Sequence, residues 1–515
     1  MPETIPELFD AAVAADPDRP WLVYEEESYS YAHARARIAR AAAGLAQRGV
    51  GKGDLVLATA ANTPEYVFTW LASAYLGSIM VAVNPRAGRP ETDGLVRQVR
   101  PRLVVTHDGR LAAAARELGA GAATDVGALF EADGELTGTG PAGASDPAVL
   151  IPTSGTTGRS KLVTQTHRAY VMAAEGFPWW MELGPDDRLM TSLPLFHVNA
   201  PTYSMLGSVA ARASLALLPR FSASTFIDSA RRHGATEFNA IGAMLEILMR
   251  QPQRPDDADT PLRLCYTGPA PSERRQLEIE RRFGLRIVCG YALSESPYGT
   301  IWAHGTRPYG TLGSPRQHPR LGRINEARVM TEGGPAAVGE LGELELRNPA
   351  VMLGYWEMPE ETQQVLRADG WLRTGDQVIQ NEDGTLTFSG RIKEVIRRRG
   401  ESMAPVEVED ALQEHPTVLE AAVIGVPSDL SEEDVKAFVV VADPAAADLA
   451  GVREWAAGRL TRFKVPRYIE AVAELPHTPT GRVAKHLLPR ERTTGEIDFD
   501  PGPVPASASG TAGGG

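Results

Sequence analysis

The sequence predicts an α/β chain: a large layered α/β N-terminal domain followed by a smaller, mobile α+β C-terminal domain. Three observations predict it. Segments with helical spacing of apolar residues alternate with short apolar runs through the first third. A basic run, Arg397-Arg398-Arg399, marks a change of character just after residue 391. The chain has 515 residues, too many for one ordinary domain, and 43% of them are hydrophobic, enough for a sizeable core.

The elements follow in order. From Ala32 to Arg48, Ile38, Ala41, Ala42 and Leu45 recur at helical spacing, and Gly49 supplies a stop. Asp54–Thr59 reads as a buried strand, Thr63–Tyr75 as a second helix, and Ile79–Val83 and Arg102–Thr106 as further strands. This is the pattern of parallel strands covered by helices. Residues 131–147, rich in Gly, Ala, Thr and Asp, read as a surface connection, and residues 327–346 as β-rich. Beyond the boundary, VEVEDALQEH is helical and AAVIGV and VKAFVVVA are strands. The expected domains are therefore 1–391, 392–492, and a Gly/Ala/Ser/Pro-rich tail, 493–515, without fixed structure.

Composition narrows the function classes. Lys+Arg is 52 and Asp+Glu is 65, a net charge of −13, which argues against a nucleic-acid partner. The two cysteines, Cys265 and Cys289, fit no metal spacing and no disulfide framework, so a reducing cytoplasmic setting is expected. The start, MPETIPELFD, lacks the pattern of a secretory signal, and no apolar stretch is long enough to span a bilayer, so no membrane partner is expected.

The most informative segment is Thr153-Ser154-Gly155-Thr156-Thr157-Gly158-Arg159-Ser160-Lys161, directly after the apolar run Ala148–Ile151. Its glycines let the backbone approach an anion, its hydroxyls donate hydrogen bonds, and Arg159 and Lys161 add positive charge. Those are the ingredients for cradling a triphosphate. The spacing is not that of a Walker loop. By composition alone a polar surface loop fits equally well.

The segment resembles the phosphate-binding loop of the superfamily of acyl-CoA synthetases, adenylation domains and luciferases, TSGTTGxPKG, with Ser160 and Leu162 replacing the usual Pro and Gly. Further segments resemble that superfamily's motifs in the expected order. Gly268-Pro269-Ala270 is similar to its adenine-side turn, and Gly290-Tyr291-Ala292-Leu293-Ser294-Glu295 to its YGxTE segment. The resemblance implies that Tyr291 stacks on adenine, Ser294 contacts phosphate and Glu295 helps hold Mg²⁺, roles an aromatic face, a hydroxyl and a hard carboxylate can fill. GWLRTGD ends in Asp376, implied to bind the ribose hydroxyls together with Arg391. Gly354-Tyr355-Trp356 resembles a structural segment and reads as packing.

The small domain carries the resemblance further. Lys393 stands at the hinge position, and Gly400-Glu401 opens a loop similar to the GExIxP loop of acyl-CoA synthetases. Arg397, Arg398, Arg399, Phe463 and Arg467 are candidates for a CoA nucleotide, by guanidinium–phosphate and ring contacts. The departure lies in Pro476-His477-Thr478-Pro479-Thr480-Gly481-Arg482: the resemblance expects a lysine where Arg482 stands, with Lys485 three residues on. Arg482 and Lys485 both remain candidates for the adenylation cation, because Arg is a larger planar fork than Lys. His197, in PLFH, matches a position beside the acyl site. Phe238–Met244 would form one wall of that site, and the residues around Glu246–Met249 resemble those of carnitine/crotonobetaine-type and other short or aromatic acid ligases.

The implied activity is ATP-dependent, Mg²⁺-assisted activation of a small aromatic or short-chain acid as its acyl-AMP, with Lys161 neutralising charge and CoA as acceptor. Two alternatives stay open: a diazotase-type or amide-forming relative that passes an adenylate to an amine, and a weakly catalytic nucleotide-binding homologue. The expected partners are a small-molecule acid and its acceptor, with the chain a monomer or homodimer.

Overall fold

The computed structural model describes residues 2–499 apart from 88, 137–140, 154–159, 269, 399–400, 429–432 and 478–482. The chain divides into two compact units. One comprises residues 1–374 and 378–388, the other 375–377 and 389 onward. The second unit thus begins three residues ahead of the boundary read from the sequence and also takes in Asp376.

The first unit is built on two large sheets. One runs, in spatial order, Gly354–Tyr355, Lys161–Thr166, Pro147–Thr153, Ile79–Ala82, Leu55–Thr59, Leu103–Thr106 and Ala122–Thr124. Its inner strands are parallel, and Pro147–Thr153 turns back antiparallel into Lys161–Thr166. The other has nine strands. Its centre is Arg286–Leu293, Leu264–Thr267, Glu237–Asn239, Arg188–Thr191 and Ser214–Leu217, all parallel. A third sheet of five strands includes Glu326–Thr331, Leu341–Arg347, Leu372–Gln380 and Leu386–Arg391.

The helix Pro64–Leu76 shows why the sequence folds this way. Thr63 caps it by accepting from Tyr66 N, Pro64 presets the first turn, and Gly77 ends it at φ 68°. Nearly every one of its residues is buried, so it lies inside the unit and not on a face. With Ile5–Ala15, Tyr31–Gln47 and His167–Trp180 it contributes to one continuous core that includes Phe9, Trp21, Tyr31, Tyr66, Tyr170, Phe177 and Tyr298. Sequence spacing missed the hairpin Pro20–Tyr24/Glu27–Ser30, whose short strands show no clean alternation.

The second unit has a four-stranded sheet, Val418–Pro427, Glu433–Val441, Tyr468–Val472 and Glu496–Asp498, with helices Pro405–Gln413 and Leu449–Ala457. Its last strand corrects the expectation of a tail without structure from Thr493. Ile469 and Ile497 are register partners, and Thr493 Oγ1 donates to Glu470 at 2.6 Å. Residues 500–515 lie outside the described residues. Cys265 and Cys289 are buried free thiols on neighbouring strands. Among the described residues no helix is long and apolar enough to cross a membrane.

Candidate active site

In open α/β sheets, ligands bind outside the carboxyl ends of parallel strands. In the nine-stranded sheet those ends carry Thr191, Asn239, Thr267 and the Gly290–Leu293 segment. Two glycines make the edge possible. A Cβ on Gly268 would lie 2.3 Å from Gly290 O, and one on Gly290 would lie 2.7 Å from Thr300 O and 2.9 Å from the Tyr266 ring. Neighbouring chain segments therefore approach to backbone contact there. Ala270 packs, partly buried, against the core, and Pro269 lies outside the described residues.

Tyr291 and Ala292 follow Gly290 at a register irregularity against Ser296–Ile301. Tyr291 is half-buried against the core of the five-stranded sheet. The Ser294 carbonyl accepts from Gln165 Nε2 at 2.7 Å, and the Glu295 carbonyl accepts from Met352 N at 2.8 Å. The Glu295 side chain is held as well: Tyr355 Oη donates to its Oε1 at 2.9 Å. Burial, and the carboxylate beside it, push the Tyr355 hydroxyl well above its usual range, so it stays a donor. Reading Tyr355 as packing alone missed this bond.

The phosphate-loop segment closes the Pro147–Thr153/Lys161–Thr166 hairpin. Thr153 and Lys161 are register partners, and Thr153 Oγ1 donates to Lys161 O at 3.2 Å. Ser154, Gly155, Thr156, Thr157, Gly158 and Arg159 lie outside the described residues. The Lys161 ammonium sits 4.6 Å from the centroid of the Tyr355 ring. Lys161 and Glu295 thus meet on the two ends of one side chain.

His197 is half-buried on the loop after Thr191, against Phe196 at 4.4 Å between ring centroids. The loop is pinned by Asn62, which immediately precedes the cap of the buried helix. Asn62 Nδ2 donates to Leu193 O at 3.0 Å and Leu218 O at 3.2 Å, and its Oδ1 accepts from Leu195 N at 3.2 Å. A π-helix, Ala200–Met205, begins three residues after His197, a feature frequent at functional sites. The expected wall is corrected at Phe238, which is 2% exposed and packs edge-on against Phe226 in the core. Its neighbour Asn239 donates to Asn199 Oδ1 at 2.9 Å and Ser204 Oγ at 3.2 Å. Sequence reasoning missed Asn62, Asn199, Asn239 and Ser204, because no local motif announces a bond between distant segments.

In the second unit Asp376 is 3% exposed, and Arg391 Nε lies 3.0 Å from its Oδ1. Gly390, at φ 109°, turns the strand end into Arg391. Gly400 is outside the described residues. Glu401, described in its backbone alone, begins the strand Glu401–Met403 paired with Ile396–Arg398. Lys485 Nζ lies 2.7 Å from Glu409 Oε1 and 3.2 Å from Glu394 Oε2, and Arg482 lies outside the described residues. Two CoA candidates are corrected. Arg398 is buried, bonded to Asp434 at 3.0 Å and to the Phe463 and Val465 carbonyls. Arg467 is paired with Asp434 at 2.8 Å and Asp498 at 3.0 Å. Both tie the unit together; Arg397 is exposed.

Residues 9–356 match the family described as AMP-binding enzyme. The chain belongs to that family. Residues 407–482 match the AMP-binding enzyme C-terminal domain. Among relatives of this AMP-binding enzyme, the sulfoacetate–CoA ligase of Cupriavidus necator is 31% identical over 94% of this chain and 98% of its own length. The crotonobetaine/carnitine–CoA ligase of Salmonella typhimurium is 29% identical over 94% and 99%. The crystal structure of ATP-bound MatB from Rhodopseudomonas palustris superposes with TM-score 0.86 at 29% identity, covering 94% of this chain and 98% of that one.

Proposed function

We propose that this AMP-binding enzyme is an ATP-dependent acid–CoA ligase that forms an acyl-AMP, releases pyrophosphate and transfers the acyl group to CoA. The observation that carries the reading is the convergence of Lys161 and Glu295 on Tyr355, which puts a cation and a hard carboxylate beside the loop expected to cradle the triphosphate. The relatives named above, CoA ligases matched over nearly their whole length, support the thioester product.

The roles are proposed as follows. Tyr291 offers its ring to adenine, Asp376 with Arg391 takes the ribose hydroxyls, and Thr153 and Lys161 flank the triphosphate. Arg482 supplies the cation at the α-phosphate, because Lys485 is already engaged by two carboxylates. The second unit turns about Lys393 between the half-reactions. No cluster of three or more His, Cys, Asp or Glu suits a metal among the described residues, and a lone Glu295 fits Mg²⁺ that arrives on phosphates. Bound there, Mg²⁺ supplies neutralisation of the phosphate charge.

The acid we propose is small and polar. The segment that carries His197 also carries Asn199, tied to Asn239, and the π-helix after it carries Tyr203, in ring contact with Phe177 and Tyr266. The named relatives act on sulfoacetate and on crotonobetaine or carnitine, which agrees with that class. The test is acid-dependent exchange of labelled pyrophosphate into ATP over a panel of short polar, short apolar and aromatic acids, followed by CoA-dependent AMP release. Exchange with no acid would overturn the reading. AMP release that requires nitrite and an aryl amine instead of CoA would move the chain to the diazotase class.

A further inference from the structure

Tyr355 is placed with more care than packing needs. Gly354 before it has φ 142°, and a Cβ there would come 2.8 Å from Thr362 Cγ2. Thr362 Oγ1 in turn accepts from Tyr355 N at 2.9 Å and donates to Met358 O at 2.7 Å. On the other side Leu353 N and Trp356 N donate to the Thr164 and Leu162 carbonyls at 3.0 and 2.8 Å, so Tyr355 is locked to the strand that begins at Lys161. Tyr355 is 8% exposed.

The two ends of this fixed side chain have different tasks. The hydroxyl bonds Glu295 Oε1, and the Glu295 main chain is already held by Met352. A phenylalanine would fill the same volume, so burial does not explain the hydroxyl. With Oε1 committed to the phenol, Oε2 is the oxygen left for a divalent cation. The ring face carries the Lys161 ammonium at 4.6 Å, within the range of cation–π attraction.

Building on the ligase reading, we infer that Tyr355 is a positioning residue that couples the two charged partners of the triphosphate. Its hydroxyl fixes the rotamer of the metal-binding carboxylate Glu295, and its ring holds the Lys161 ammonium where phosphate collects it. Removing the hydroxyl alone therefore affects the metal, and removing the ring also affects the phosphate.

The test is ATP binding by titration calorimetry on the full chain, with and without Mg²⁺, for wild type, Tyr355→Phe and Tyr355→Leu, with thermal denaturation of each. Tyr355→Phe raises the Mg²⁺ concentration for half-maximal ATP binding about tenfold, the weight of one hydrogen bond to a charged group, and leaves metal-free ATP affinity unchanged. Tyr355→Leu shows the same metal shift and also weakens metal-free ATP binding about threefold, the cation–π share. Equal losses with and without Mg²⁺ in Tyr355→Phe mean simple packing and overturn the inference, as does an unaltered Mg²⁺ profile. A wild-type chain that binds no ATP overturns the ligase reading and this inference with it. Wild-type pyrophosphate exchange alongside an unshifted Tyr355→Phe overturns this inference alone.

Discussion

Lys485 Nζ lies 2.7 Å from Glu409 Oε1 within the second unit, with Glu394 on its other side at 3.2 Å. Burial alone would lower its pKa, but the two carboxylates more than offset that and hold it above the ordinary lysine value. A raised lysine contributes stability that is fully present below about pH 10 and is lost as pH rises through the raised value. We read a cation held in this way as a structural tie.

It follows that Lys485→Met destabilises the second unit by about 1–3 kcal/mol, since it strands the largely buried Glu409 carboxylate and takes a partner from the exposed Glu394. Pyrophosphate exchange by the folded variant stays near wild type. Arg482→Ala behaves oppositely, losing about 10²–10³-fold in exchange with little change in stability, the size of one lost electrostatic donor. Exchange rates and urea denaturation, run side by side, separate the two. A large exchange defect in Lys485→Met would return the catalytic role to that residue.

Asn62→Ala removes three buried bonds, two that hold the His197 loop at Leu193 and Leu195 and one that reaches Leu218. The expected cost is about 1–3 kcal/mol in denaturant unfolding, from buried groups left unpaired. The functional effect falls on the acid: kcat/KM for the acid drops about 10–100-fold as the loop loses its geometry, and ATP affinity is retained. Steady-state kinetics with each substrate varied in turn checks this split.

What the sequence carried plainly was whatever rests on local chemistry. Gly268 stands out through its resemblance to an adenine-side turn and Gly290 through its place in the YGxTE-like segment, and the structure adds a backbone approach at both that no Cβ would allow. Thr153 and Lys161 stand out through the segment's composition and its resemblance to a phosphate-binding loop. Tyr355 was read as packing because its partner, Glu295, is far off in the chain and nothing near either residue marks the bond. Asn62 was invisible for the same reason. Arg398 and Arg467 were misread in the opposite sense. Arg398 in its basic run and Arg467 between Pro466 and Tyr468 both look solvent-facing until the fold brings Asp434 between them.

Arg398 therefore tests the distinction between binding and structure. Arg398→Ala leaves Asp434 short of a buried partner and the Phe463 and Val465 carbonyls without their donor. Breaking such a pair costs about 3–5 kcal/mol. The second unit is expected to unfold at lower denaturant, and KM for CoA, measured on the folded fraction at low temperature, to remain within about twofold of wild type. Arg397→Ala, at an exposed position, gives negligible destabilisation, so any rise in KM for CoA there reports binding.

His167 sets an acid limit on the first unit. Its side chain is 0% exposed, and its Nδ1 accepts from Ile5 N at 3.4 Å, tying the first helix to the start of His167–Trp180. Burial lowers its pKa from 6.5 to about 4, against a smaller opposing pull from Asp146 and Glu7. The folded chain thus holds a neutral imidazole that the unfolded chain protonates. Stability is unaffected above about pH 6.5 and falls by about 1.4 kcal/mol per pH unit between about 6.5 and 4. Below that both states carry the proton and this contribution levels off. His167→Gln keeps an acceptor for Ile5 N and removes the titration, so its unfolding free energy against pH is flatter than wild type across that window. Matching slopes for the two proteins would assign the acid sensitivity to other groups.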